Sequence, residues 1–209
     1  TYHAYKSGDT QLLGLVVEKA TGKSLSAYAA EKLWQPLGAE QDALWSIDKP
    51  NGEEKAYCCF NSNARDFARL GQFMLDSGKI NGMPVIDSAF FRKSVTPCNI
   101  MDEHNTPCNY YGYQWWIIPG RQNIFYARGI LGQYIICIPA RNMVIVRLGK
   151  KRDEKINSVP IEVNTLIAWA KQLDGSRRLV VFLFILSGLR LPLTFLFSLY
   201  LCVSSTYCF

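Results

Sequence analysis

No Cys-x-x-Cys pair occurs in this sequence, and its seven cysteines, at positions 58, 59, 98, 108, 137, 202 and 208, follow no repeated spacing. An odd, unpatterned set in a chain of 209 residues, long enough to bury a core without staples, excludes a disulfide framework and leaves free thiols as the expectation. Cys98, His104 and Cys108 fall near one another, but in a Pro/Asn-rich loop without the paired spacing of structural zinc sites, so no metal is expected. Acidic residues are also missing after Asp174, where Arg177, Arg178 and Arg190 still occur. Setting those three aside lowers the net charge from +6 to +3. The remaining basic residues are scattered and form no stripe to follow a phosphate backbone, so nucleic acid is not an expected partner.

What the chain does have is 49% hydrophobic and 13% aromatic residues, enough for one substantial core. Its first dozen residues already read as the interior of a domain, and the sequence is expected to be a portion of a longer one. Residues 1–175 read as that portion, and 176–209 as a hydrophobic tail.

Helical spacing of Leu12, Leu13, Val16, Val17 and Ala20 predicts a first helix, with Ser7 or Asp9 as cap and Gly22 as its left-handed stop. Ser24 caps a second helix with Leu25, Tyr28, Ala29 and Leu33 on one face. A loop over 40–60 leads to a short strand near 57–60, and Ser62 or Asn63 opens a third helix whose buried stripe is Phe67, Leu70, Phe73 and Met74. Asn81-Gly82 makes a tight turn, and Asp87 caps a short helix that ends before Pro97.

From Tyr110 the period changes. Strands are expected near 112–118, 123–128, 133–138 and 143–148, and connections this short make them antiparallel. Pro160 then starts a helix whose apolar face, Ile161, Val163, Leu166, Ile167, Ala170 and Leu173, covers the sheet. Beyond Arg178, residues 179–203 are apolar except for Arg190. The length suits a bilayer, whereas a central arginine costs about 2.5 to 3.5 kcal/mol on insertion scales. A membrane anchor and an extension foreign to the domain both remain open for this tail. A cell-envelope location is expected over a cytoplasmic one.

The stretch Tyr5-Lys6-Ser7-Gly8-Asp9-Thr10-Gln11-Leu12-Leu13-Gly14 sets a tyrosine and a serine at the mouth of the first helix, where free N–H groups and the positive dipole end lie. Locally it reads either as a cap with a packing tyrosine or as a chemical site. It is followed by Ala20-Thr21-Gly22, Trp34-Gln35-Pro36-Leu37-Gly38, Arg65-Asp66-Phe67-Ala68-Arg69-Leu70-Gly71, Tyr111-Gly112-Tyr113-Gln114-Trp115-Trp116 and Ala127-Arg128-Gly129-Ile130-Leu131-Gly132-Gln133-Tyr134. In that order, over residues 1–173, these motifs resemble the serine hydrolases of the class C β-lactamase superfamily, in the branch of the 6-aminohexanoate-dimer hydrolases and related esterases.

The resemblance implies an α/β (α+β) fold of the β-lactamase/transpeptidase-like kind, an antiparallel sheet flanked by helices, here incomplete. It implies hydrolysis of a small-molecule or peptide-like amide or ester through an acyl-enzyme, with no cofactor. Serine is too weak an acid to attack unaided, and a phenol serves as its base only when a nearby ammonium stabilises the phenolate. By resemblance Tyr5 is that base or proton relay, and Ser7 the second polar position. Arg128-Gly129-Ile130 stands for the substrate-binding strand edge, with Arg128 steering a carboxylate and the Ile130 N–H entering the oxyanion hole. No Lys-Thr-Gly stands there, so Gly129 and Gly132 also read simply as shaping a strand and turn.

The family's Ser-x-x-Lys nucleophile lies upstream of the tyrosine. Ser46-Ile47-Asp48-Lys49 matches the letters in a Pro/Gly loop, and Lys6-Ser7-Gly8 mimics a strand motif; both read as chance matches, and the chain alone is expected to be inactive. The rival expectation is a non-catalytic, membrane-tethered binding protein that keeps the fold.

Overall fold

The computed structural model describes residues 1–121, 123–151, 154–156 and 158–173, with the backbone alone of 179–184 and 207–208. In chain order, helix α1 (Ser7–Thr21) precedes α2 (Leu25–Ala29), which runs on through a π-helical turn (Ala30–Trp34). Strands β1 (Leu44–Trp45) and β2 (Phe60–Ser62) then lead to α3 (Ala64–Leu75), the hairpin β3 (Lys79–Ile80) and β4 (Met83–Pro84), and α4 (Ser88–Ser94). The main sheet begins with β5 (Trp116–Ile117), β6 (Phe125–Gly129), β7 (Gln133–Ile138) and β8 (Met143–Leu148). The short pair β9 (Lys155–Ile156) and β10 (Val159–Pro160) precedes α5 (Ile161–Ala170), and β11 (Leu179–Phe184) and β12 (Tyr207–Cys208) follow.

Strand order in the main sheet is β11-β8-β7-β6-β5. The four strands from β5 to β8 are antiparallel neighbours, as their short connections require. β11 runs parallel to β8. The intervening α5 supplies the crossover that a parallel neighbour needs.

Alternation along β7 divides the core into two layers. Tyr134, Ile136 and Ile138 pack with Val163, Ile167 and Ala170 of α5 on one face. Ile135 instead meets Ala64, Phe67 and Ala68 of α3 on the other. Each fully buried aliphatic or aromatic side chain contributes about 1.5 to 3 kcal/mol, so this helix–sheet–helix stack carries the stability of the fold. The α3 stack is close because position 71 is glycine: a Cβ there would stand 2.5 Å from Val144 Cγ1 and 2.9 Å from Ile135 Cγ2.

Several sequence expectations correspond to local chemistry. Asn63 accepts from Asp66 N to cap α3, Ser24 accepts from Ala27 N to cap α2, and Asp87 accepts from Ala89 N and Phe90 N to cap α4. Gly22 and the Asn81-Gly82 turn adopt the positive φ that their roles require. β7 and β8 occupy the residues expected of them.

Three expectations are corrected. α1 is not capped by Ser7 or Asp9: Lys6 is the N-cap residue and makes no side-chain cap hydrogen bond, which places Ser7 in the first turn. Its apolar stripe is not core either. Leu12 (61% exposed) and Val16 (56% exposed) face outward, and Gly14 is the buried residue of the helix. The helix is held instead by hydrogen bonds, Gln11 Nε2 donating to Glu54 O (3.0 Å) and Ala56 N donating to Gln11 Oε1 (2.9 Å). Finally, the strand expected over 112–118 is two residues long, because Tyr111 to Trp115 turn back on themselves with Gly112 N donating to Trp115 O.

A fourth expectation, that of free thiols, is corrected in part: Cys58 and Cys59 form a disulfide between adjacent residues, while Cys98, Cys108 and Cys137 are free. Of the apolar tail, residues 185–206 lie outside the described residues, and so do 174–178. No helix among the described residues is long and apolar enough to cross a membrane.

Candidate active site

The approach to α1 is fixed by a backbone pairing. His3 bridges to Asp102 in parallel register, its N–H donating to Met101 O (2.7 Å) and its carbonyl accepting from Glu103 N (3.1 Å). Two residues on, the ring of Tyr5 lies against Trp116 (centroids 5.5 Å apart) and edge-on to Tyr111 (5.9 Å). The indole of Trp116 is shared. Arg128 sets its guanidinium carbon 5.1 Å from the centre of the same ring. Register explains the meeting: Trp116 of β5 pairs with Tyr126 of β6, and Arg128, two residues further along, projects from the same face.

The fold thus brings Tyr5 and Arg128, 123 positions apart in the chain, onto one aromatic platform. Ser7 is exposed in the first turn of α1, where the helix dipole favours negative charge, and its hydroxyl is not spent on capping. Gly129 closes β6 opposite Gln133. Ile130 follows on an exposed turn. β5 reaches only as far as Tyr126, so among the described residues β6 has no β5 partner at Ala127–Gly129. A free strand edge of this kind receives an extended ligand by main-chain hydrogen bonds.

Sequence reasoning missed what supports this edge from beneath. Arg147 is 3% exposed, donates from Nη1 to Gly132 O (2.6 Å) and pairs with Glu162 of α5. Gln133 donates to Gly149 O (2.6 Å) and accepts from Gly149 N (3.1 Å). The turn after Ile130 is therefore clamped to β8, with Leu131 and Gly132 at φ of 63° and 82°. The signal was present: an arginine inside the apolar run Met-Val-Ile-Val-Arg-Leu of β8 requires a buried partner. Trp116, the residue shared by Tyr5 and Arg128, was quoted in a motif but given no role.

Burial raises the Tyr111 hydroxyl well above its usual value, with the nearby Tyr5 adding to the effect. Tyr110 is raised by burial and by its hydrogen bond to Asp102 (3.1 Å), and burial pushes Tyr126 to about 12. Asp102 is held below the usual carboxylate range, chiefly by the backbone N–H of Thr106 and then that of His104. Tyr5, 52% exposed, is the phenol of this cluster most open to solvent.

Ser46-Ile47-Asp48-Lys49 lies in the β1–β2 connection, where Ile47 bridges Glu54 and Asp48 N donates to Glu53 O, so Ser46 and Lys49 do not share a helix face. No helix among the described residues carries Ser-x-x-Lys. Lys6-Ser7-Gly8 likewise runs into α1 and is not a strand.

Comparison with known proteins bears on the family and the fold. Residues 1–159 match the Beta-lactamase family. The 6-aminohexanoate-dimer hydrolase of Paenarthrobacter ureafaciens is 30% identical in an alignment of 155 positions that covers 71% of this chain and 39% of that protein. An uncharacterized protein of Alkalihalophilus pseudofirmus is 25% identical in an alignment of 176 positions that covers 69% of this chain and 51% of its own. A solved structure named "Putative 6-aminohexanoate-dimer hydrolase from Bacillus anthracis" superposes with a TM-score of 0.60 at 30% identity, covering 66% of this chain and 36% of the other. The chain spans about two fifths and one half of the curated relatives it matches. On the family match and a sheet and helices that superpose on a solved relative, this chain belongs, over part of its length, to the beta-lactamase family within the β-lactamase/transpeptidase-like serine hydrolases.

Proposed function

We propose that this chain carries the tyrosine and substrate-edge half of a serine hydrolase that cleaves an amide or ester bond through an acyl-enzyme. The observation that carries the proposal is the convergence of Tyr5 and Arg128 on Trp116. In this scheme Tyr5 takes the proton of a serine nucleophile as it attacks and returns it to the leaving group. Ser7 orients the lysine or the substrate by hydrogen bonding. The Ile130 N–H, on a turn held rigid by Arg147 and Gln133, stabilises the oxyanion, because a donor fixed in advance reorganises little during reaction. Arg128 pairs with a substrate carboxylate. A dimer of 6-aminohexanoate, named in the relative from Paenarthrobacter, offers both an amide and a carboxylate, and a short oligoamide of this type is the substrate class we assign.

The serine and lysine of the nucleophile are contributed by residues other than these 209, and the exposed apolar face of α1 beside Tyr5 is where that part packs. Residues 1–175 form the hydrolase portion in this scheme and 176–209 an apolar tail, the first strand of which, β11, extends the main sheet beside β8.

The proposal is tested in two arms. Incubation of the 209-residue chain with a fluorophosphonate probe, followed by intact-mass analysis, should show no stoichiometric adduct; labelling at a serine overturns the division of the machinery. In the parent protein, Tyr5→Phe should lower kcat about 100- to 10,000-fold, the usual range for losing a general base, with KM nearly unchanged. Unchanged kcat in that variant would leave Tyr5 a groove-lining residue, whereas a parent protein with no measurable hydrolysis would favour the non-catalytic binding reading.

A further inference from the structure

A second cluster lies one ring away from Tyr5. The imidazole of His3 and the thiols of Cys98 and Cys108 present one ligand atom each, all within 4.8 Å of one another. These residues come from the chain entry and from the two ends of the 98–108 loop, so no local spacing announces them. His104, the histidine nearest in sequence, is not part of the group.

Backbone pairing holds the cluster in place. Cys98 N donates to Tyr111 O (3.0 Å), Cys108 N to Ile100 O (2.8 Å), and His3 N to Met101 O (2.7 Å). Met101 bridges Pro107 across the loop. Cys108 is fully buried, and the ring of His3 packs on Tyr110 and Tyr111. The second, independent observation is that His3 Nε2 is buried and meets no hydrogen-bond partner. A buried ring nitrogen left without a partner costs about 1 to 3 kcal/mol, unless something else fills its lone pair.

We propose that His3, Cys98 and Cys108 form a binding site for a borderline-soft divalent cation, zinc foremost. One imidazole nitrogen and two sulfurs suit such an ion, and three protein ligands leave a fourth coordination position open. Binding balances as one M²⁺ taken up and two thiol protons released to solvent, so that two thiolates neutralise the ion. Burial, followed by the neighbouring Cys98 thiol, pushes Cys108 up to about 11 without a cation, and a bound cation reverses that preference. The site ties the chain entry that carries Tyr5 to the 98–108 loop. It stands on its own geometry and does not depend on the hydrolytic proposal.

The test is a cobalt(II) titration of the full 209-residue chain under a phosphine reductant, followed by zinc competition. A one-to-one complex is expected, with near-ultraviolet sulfur-to-cobalt charge-transfer absorption that zinc abolishes. Cys98→Ser and His3→Gln, each checked for folding by circular dichroism, should weaken binding by more than about 100-fold, since changes even outside the ligand set cost 10- to 100-fold. Cys58→Ser/Cys59→Ser and Cys202→Ser/Cys208→Ser should bind as the parent chain does. No charge-transfer band in a chain whose thiols titrate as free, or a band that survives Cys98→Ser, overturns the proposal. A Cys98–Cys108 disulfide that forms in air with excess zinc present, once the reductant has been removed, also overturns it, and assigns the pair to redox chemistry.

Discussion

Arg147 shows how much of the candidate site rests on residues that never meet a substrate. Its guanidinium satisfies the Gly132 carbonyl and the Glu162 carboxylate from a position 3% exposed. Removing one partner of a buried pair leaves the other uncompensated, so Arg147→Ala should destabilise the chain by about 3 kcal/mol or more, read as a lower midpoint in urea unfolding. Gly132→Ala addresses the same turn from the other side. Its φ is +82° and an added Cβ would stand 1.9 Å from Arg147 Nη1, so a loss of about 1 to 3 kcal/mol is expected from backbone strain, with displacement of the guanidinium adding to it. Asp102 contributes in a pH-dependent way. Backbone N–H groups of Thr106 and His104 lower its folded pKa, so its stabilising contribution is complete above the unfolded value of about 3.9 and is lost as pH falls through the folded value. The stability difference between the parent chain and Asp102→Asn should therefore be present at neutral pH and vanish in acid, as measured by denaturation across the pH range.

Elements were legible in proportion to how local their causes are. The caps of α2, α3 and α4 involve side chains two or three residues from the N–H they serve, and β7 and β8 alternate between two apolar layers, so their bounds could be read from residues alone. The face of α1 could not. Leu12, Leu13 and Val16 have helical spacing, but whether such a stripe is covered depends on what the rest of the fold lays against it. Here the helix is fastened by Gln11 and by Gly14, where a Cβ would stand 2.6 Å from that of Ala56. Gly14→Ala should consequently lift α1 from the 54–56 loop despite the better helix propensity of alanine, seen as faster amide exchange over residues 7–21. Tyr5 and Arg128 were legible as members of motifs, while their meeting on Trp116 depended on strand register. His3 joining Cys98 and Cys108 had no sequence signal, because the contact is made by a parallel backbone bridge between distant segments.

At the level of the whole molecule, two well-packed helix–sheet layers sit beside an apolar face left in the open. Leu12, Leu13, Leu15 and Val16 of α1, with Tyr2 and Tyr5 just before it in the chain, are exposed hydrophobic residues. Contiguous exposure of this kind drives association. The chain alone should sediment as a concentration-dependent oligomer, and Leu12→Lys/Val16→Lys should return it to monomer without lowering its unfolding midpoint. Trp116, meanwhile, gives the molecule an optical gauge. The indole touches Tyr5, Tyr111 and Arg128 at once, and a cation over an indole alters its emission. An anionic ligand that draws Arg128 away should change the intensity and wavelength of that emission, and the change should disappear in Trp116→Phe while the other four tryptophans remain. Occupancy of the proposed substrate edge then becomes visible as light, without any need for turnover.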